Sequence, residues 1–341
     1  MKIKQNIVFL FPGQASQYVG MGRDLYENSV AAAQVMDRVA AMDGLKAVPE
    51  LCFQGPEELL TRTDNVQPAI TAVSLMALAA IHEAIEQQGN IELKSRLKAC
   101  AGHSLGEYSA HVAAGNLTES TVMNLVCWRG RWMNEAAQPP NLAGAMVAVM
   151  GLEIGVLRKI ISDIGHSKIA IANLNSPGQI ILSGTVAAIA EAVIRSVERG
   201  AKKTVMLNVS GAWHSPLMRS AEVRMKELID EELTADNVSM NGAPYVVANV
   251  TATEVRHHKE VKRTLIRQIS SLVNWEYSVR KLCDIASGQA VIEGEAADPP
   301  LFVEIGPGKV LRGLMRSIDR SLEVVNVEDM AGVEKLMGRL E

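Results

Sequence analysis

Aromatic residues make up only 4% of the 341-residue chain, while methionine is plentiful at 16 residues, so the core is expected to be mainly aliphatic. Cysteine is scarce as well. Cys52, Cys100, Cys127 and Cys283 are widely scattered, and no two have metal-ligand or redox-motif spacing. That excludes a disulfide scaffold and suits reduced thiols in a cytoplasmic protein. Neither sign of charge dominates: 34 Lys and Arg stand against 38 Asp and Glu, a formal net charge of −4. Wholesale nucleic-acid coating is therefore not expected, although a local basic patch is allowed. Long apolar runs are missing too. The longest mostly apolar stretch, residues 69–81, is shorter than the roughly 20 residues a membrane span needs. After the basic residues 1–6, the run Ile7–Phe11 stops at Pro12-Gly13, too early for a signal peptide. With 48% apolar and 21% charged residues, the composition is that of a soluble globular protein, and the length exceeds two typical domains of about 150 residues unless a single large α/β domain absorbs it.

Short apolar runs followed by tight turns and helical spacings predict an α/β protein built on a parallel sheet. Strands are expected at 7–11, 97–101, 245–249 and 301–305, and helices at 21–42, 66–88, 107–114, 216–233, 261–272, 275–285 and 309–318. The middle of the chain reads differently. Strands at 144–150, 168–172, 179–183 and 203–209 alternate with helices at 153–164 and 186–198, giving the order β-α-β-β-α-β of a ferredoxin-like unit. The predicted organisation is a large α/β domain over 1–139 and 207–341, interrupted by a small subdomain over 140–206. Residues 287–300, rich in Gly, Ala and acidic side chains, read as a surface loop.

Gly102-His103-Ser104-Leu105-Gly106 is a G-x-S-x-G pattern between a predicted strand and a predicted helix. A serine on such a turn sits in strained backbone, and only small neighbours let strand and helix approach closely enough. The following helix N-terminus then faces the position where an oxyanion would form. A purely structural turn is the plain alternative, because about one chain in ten of this length carries the pentapeptide by chance. A serine nucleophile also needs a base. His103 is its sequence neighbour, but adjacent side chains on this turn diverge. His82, His111, His166, His257 and His258 fall on helices or polar loops and are expected to be solvated. His214 follows a strand through residues 210–213 and precedes Ser215-Pro216, a helix start, so it sits where α/β sites gather their chemistry. The only Asp between Ser104 and His214 is Asp163, inside a helix of the inserted unit. A dyad oriented by something other than an Asp is therefore expected.

Five ordered motifs carry a family resemblance. Phe11-Pro12-Gly13-Gln14-Ala15-Ser16-Gln17 with Gly20-Met21-Gly22 resembles the opening motif of the malonyl-CoA:acyl carrier protein transacylases and the acyltransferase domains of polyketide synthases. Gly102 to Tyr108 resembles their nucleophile motif, Trp128-Arg129-Gly130 with Met133 their arginine motif, and Gly211 to Met218 their histidine motif. Glu304 to Leu311 is similar to their C-terminal signature. The matches run from about residue 8 to 315.

The resemblance implies an α/β-hydrolase-like large domain and a freestanding enzyme of fatty-acid or polyketide synthesis. It implies ping-pong transfer of malonyl from malonyl-CoA to Ser104, then to the phosphopantetheine thiol of an acyl carrier protein. No cofactor or metal is implied, the CoA thioester being a substrate. Ser104 would be the nucleophile and His214 the base and acid. Backbone N–H groups of Gln14 and Leu105 would form the oxyanion hole, where one donor is typically worth about 3 kcal/mol. Arg129 would clamp the malonyl carboxylate, because its planar fork matches a carboxylate bidentately. An acetyl group would leave that charge unpaired, at about 3–5 kcal/mol. Met133 and Trp213 would line the acyl site. Trp213 stands where related domains carry Phe or Ser, and its ring should crowd a substituent on the acyl α-carbon or mark an unusual acyl group. Asn274 would supply a backbone carbonyl to His214. Ala15 replaces a glycine usual in the opening motif. Arg312, Arg316 and Arg320, at four-residue spacing with Lys309, could receive an acidic carrier or be a solvated face. A monomer is expected, and an acyl hydrolase on the same scaffold is the competing reading.

Overall fold

Two sheets organise the chain. The computed structural model describes residues 5–89, 93–138, 144–209, 211–240, 242–288 and 299–341. Its strands are β1 (Ile7–Phe11), β2 (Leu97–Gly102), β3 (Gly144–Met150), β4 (Ile169–Ser176), β5 (Gln179–Thr185), β6 (Lys203–Met206), β7 (Tyr245–Ala248), β8 (Thr253–Val255), β9 (Leu301–Ile305) and β10 (Val324–Val327).

The larger sheet has the order β10-β9-β1-β2-β7-β8, parallel throughout except for β8 at its edge. β1 lies inside it, and all five of its residues are fully buried. A continuous apolar run is what a central parallel strand requires, because helices cover both faces. Ile7, Phe9 and Phe11 join the main core on one face, while Val8 and Leu10 pack with Trp275, Leu282 and Met315 on the other. The helix Thr63–Gln88 runs through the main core. It is long and apolar enough to cross a membrane, yet most of its side chains are buried inside the protein.

The smaller sheet is antiparallel, with order β4-β5-β3-β6. The helices Ile154–Ile164 and Val186–Glu198 pack on it around a separate aliphatic core. Its Met146, Ala148, Ala172 and Ile181 join the main core, and a backbone seam ties it to the rest: Val273 N–H donates to Ala172 O at 2.8 Å, and Leu174 N–H to Val273 O at 2.9 Å. All four cysteines are free thiols, three of them buried.

Several expectations need correction. The helix predicted over 21–42 is two, Arg23–Asn28 and Val30–Ala40, because Ser29 turns extended and its hydroxyl caps Ala32 N–H at 3.1 Å. The strand over 203–209 ends at Met206. Arg320 lies beyond the end of its helix, Val310–Ile318, and Lys309 is paired with Glu328 at 2.8 Å, so the proposed basic row shrinks to Arg312 and Arg316. β8, β10 and the helices Val48–Phe53, Glu119–Ala136 and Met330–Leu340 have no counterpart in the sequence reading. The boundary at 140 and residues 289–298 of the expected loop lie outside the described residues.

Gly102 marks the closest approach that a glycine permits among the described residues. A Cβ on Gly102 would lie 1.9 Å from the carbonyl carbon of Gly106, whereas one on Gly313, in an exposed helix, would meet nothing within 4 Å. Gly102→Ala is thus expected to cost about 3 kcal/mol. Gly313→Ala should gain roughly 0.5–1 kcal/mol. Denaturant unfolding of both variants checks this, and a Gly102→Ala protein as stable as the parent would contradict the turn geometry.

Candidate active site

Ser104 leaves the end of β2 in left-handed backbone, φ 49°, and the helix Gly106–Ala113 starts two residues on. That conformation costs a non-glycine residue of order 1–2 kcal/mol and must be held from outside. The hold is visible. Ser104 N–H donates to Asn249 Oδ1 at 2.6 Å, and Ser104 O accepts from Gln268 Nε2 at 3.0 Å. Asn249 Nδ2 also donates to Gly102 O at 2.7 Å, so one side chain ties both limbs of the turn. The loop after β1 packs over it: a Cβ on Gly13 would sit 2.5 Å from His103 O, and one on Gly106 2.0 Å from Phe11 O. Among the described residues the backbone N–H groups of Gln14 and Leu105 have no partner, and this close packing brings their loops together.

His214 Nε2 lies 2.7 Å from Ser104 Oγ. Its other nitrogen, Nδ1, is 2.9 Å from Gln268 O and 3.1 Å from Ser271 O. Carbonyls only accept, so Nδ1 carries the proton and the lone pair on Nε2 faces the serine hydroxyl. The carbonyl expected from Asn274 thus comes from Gln268 and Ser271. Asn274 instead caps the helix Trp275–Ser287, its carbonyl accepting from Ser278 N–H at 2.9 Å, while its amide holds Asn249 O and Val250 O. Gln268 caps the C-terminus of the helix His258–Arg267, where carbonyls lack helical partners and the helix dipole favours a cation. No acid is needed there. Asp163 pairs with Lys159 and Arg195 on the surface. Burial, and next the positive charge of Arg129, push His214 down to about 3. The imidazole is therefore neutral at neutral pH and free to take a proton.

Arg129 comes from the helix Glu119–Ala136, whose start Thr118 caps through Thr121 N–H. Its side chain is fully buried. Nη1 donates to Gln67 Oε1 at 2.7 Å, and Nη2 to Gln268 Oε1 and Ser104 Oγ, each at 3.1 Å. The guanidinium also lies 5.7 Å from the Tyr108 ring centroid. It forms no ion pair among the described residues. Met133, one turn further along the helix, is buried with its sulfur 3.5 Å from Gln67 Nε2, and that nitrogen is 3.4 Å from Gln14 Oε1. The site therefore brings together Ser104, His214, Arg129, Met133, Gln14 and Leu105. Trp213 packs its ring over Gly211 beside His214.

The residues that the motifs did not single out are Gln67, Asn249 and Gln268. Gln67 had a signal in the sequence: it is a buried polar residue near the start of a nearly continuous apolar stretch. The other histidines fall into two groups. His103 turns away to Asn175 Oδ1, at 2.9 Å, and packs on Trp275. His111, expected to be solvated, is fully buried with Nδ1 3.0 Å from Asn116 Nδ2, and burial pushes it down to about 3. His82, His166 and His257 are exposed and His258 half-buried.

The acyl transferase domain family matches residues 8–334. The chain belongs to that family. The malonyl CoA-acyl carrier protein transacylase of Bacillus subtilis (strain 168) is 38% identical over 330 residues, covering 96% of this chain and 95% of that protein. An acyl-carrier-protein S-malonyltransferase structure from Bartonella henselae matches with a TM-score of 0.83 at 31% identity, covering 98% of this chain and 99% of that one. A chain in the complex of a type II PKS acyl-carrier protein with its malonyl-transacylase matches with a TM-score of 0.82 at 29% identity, over 98% and 99% of the two chains.

The low affinity of His214 for protons is directly measurable. Its ring resonances in isotope-labelled protein are expected to stay those of the neutral Nδ1–H tautomer from pH 8 down to about pH 5. A titration midpoint near 6.5, the ordinary value for histidine, would contradict the buried, Arg129-flanked environment.

Proposed function

We propose that the chain moves a malonyl group from malonyl-CoA to the phosphopantetheine thiol of an acyl carrier protein. The names of its relatives support this, and one observation in the site carries it. Arg129 is a fully buried cation that forms no ion pair among the described residues, and its Nη2 lies 3.1 Å from the nucleophile. A buried guanidinium is costly without a counter-charge, and the carboxylate of a malonyl group on Ser104 would supply one.

The chemistry follows from the dyad. His214 Nε2 takes the Ser104 proton as Oγ attacks the thioester carbonyl, with the developing oxyanion received by the N–H groups of Gln14 and Leu105. The tetrahedral adduct collapses by breaking the C–S bond, and His214 returns its proton to the departing CoA sulfur. Malonyl-Ser104 remains. In the second half His214 takes the proton of the incoming phosphopantetheine thiol, which attacks the ester, and Ser104 recovers its proton as the thioester product leaves. Trp213 is assigned to crowding any substituent on the acyl α-carbon. The reading includes a monomer acting in the cytoplasm without a cofactor. The large domain over 1–139 and 207–341 is α/β-hydrolase-like, and the subdomain over 140–206 inserted in it is ferredoxin-like.

Intact mass spectrometry tests it. Mixing with malonyl-CoA should add one persistent malonyl mass to the wild type and none to Ser104→Ala, and a phosphopantetheinylated carrier protein should then collect that mass. Release of free malonate as fast as the acyl mass disappears would instead show an acyl hydrolase.

A further inference from the structure

Glu107 is a fully buried carboxyl that the acyl-transfer steps do not use. It sits one turn after Ser104 on the helix Gly106–Ala113. Its Oε2 accepts from Asn249 N–H and from Gln268 Nε2, each at 2.9 Å, while Oε1 has no partner among the described residues. Gln268 continues the chain of contacts. Its Nε2 also reaches Ser104 O at 3.0 Å, its Oε1 accepts from Arg129 Nη2 at 3.1 Å, and its backbone carbonyl accepts from His214 Nδ1. The amide nitrogen thus faces two acceptors. An amide can satisfy that arrangement in only one orientation, which turns its oxygen towards the guanidinium.

We propose that Glu107 and Gln268 form a strut of two positioning residues: Glu107 fixes the Gln268 amide, and the amide oxygen aims Arg129 at the acyl carboxylate. This rests on Arg129 being the grip on a malonyl carboxylate. The strut also carries charge. Burial pushes the proton affinity of Arg129 down, and the nearby Tyr108 and then Glu107 partly offset that. Burial pushes Glu107 itself up to about 7, while its two N–H donors and then Arg129 hold it back. Asn249 belongs to the same assembly, since Glu107 holds the backbone of the residue that ties the Ser104 turn.

A strut for Arg129 predicts a loss specific to dicarboxylic acyl groups. In Gln268→Met the backbone carbonyl that orients His214 remains and only the amide is removed. Rates of Ser104 acylation by malonyl-CoA and acetyl-CoA, resolved into KM and maximal rate, should show the malonyl KM rising about tenfold or more. The acetyl kcat/KM should fall by a clearly smaller factor, because the same amide also holds the Ser104 turn, and the malonyl:acetyl ratio is therefore the readout. Glu107→Gln, which removes the charge, should move the malonyl:acetyl ratio the same way by about threefold or more, and it carries the test if Gln268→Met does not fold. The double variant should lose less selectivity than the sum of the two single losses, because Glu107 acts on Arg129 chiefly through Gln268. Folded variants that lose both substrates in equal proportion, or single effects that add in full, would overturn the strut. A wild type without malonyl preference would overturn the underlying reading of Arg129, an outcome distinguishable from failure of the strut.

Discussion

A guanidinium buried beside the nucleophile without an ion partner is the constraint on which this site depends. Removing a cation from water costs several kcal/mol even after relaxation, and the protein recovers that only through well-placed acceptors. Here the acceptors are neutral or distant: amide oxygens of Gln67 and Gln268, the Ser104 hydroxyl, the face of Tyr108, and the field of Glu107. Neutral acceptors compensate the charge enough to hold it in place while leaving it able to gain from an anion. A carboxylate in direct contact would have filled the role that the substrate is proposed to fill. The same charge lowers the basicity of His214, so an anion bound at Arg129 would also ease proton transfer from Ser104.

Backbone strain is the second element. Ser104 and His214 both have positive φ, at 49° and 58°, which non-glycine residues rarely adopt. Each is over-determined by contacts from elsewhere in the chain: Ser104 by Asn249 and Gln268, His214 by the carbonyls of Gln268 and Ser271. Gln268 appears in both sets. The segment that carries it runs on to Val273, which is bonded to β4 of the smaller sheet. The dyad is thus held at the seam between the two sheets, and a shift at that seam would be felt at both reacting atoms.

Much of this was legible in the sequence because the motifs encode steric demands. Gly102 and Gly106 are required by contacts near 2 Å, and Ser104 between them can only be a turn residue. The absence of an Asp suited to His214 was likewise readable, and the structure replaces that acid with helix-end carbonyls. What the sequence hid were partners defined by tertiary contact. Gln268 follows an amphipathic, charged helix and has no local pattern, yet it touches Ser104, His214, Arg129 and Glu107. The family resemblance places the carbonyl donor at Asn274, but that carbonyl already accepts from Ser278 N–H in its own helix. The break at Ser29 was missed because the helical spacing continues across it, and only the cap distinguishes two helices from one. The short edge strand β8, Thr253–Val255, is too brief for alternation to mark it.

The most direct test of the account is the malonyl:acetyl ratio of kcat/KM for Ser104 acylation in wild type and in Arg129→Ala. Losing the partner of a buried carboxylate costs about 3 kcal/mol or more, which is about two decades in rate. The account therefore predicts that the ratio collapses by about a hundredfold, with acetyl-CoA gaining relative to malonyl-CoA. A folded Arg129→Ala protein that keeps the wild-type ratio would contradict it.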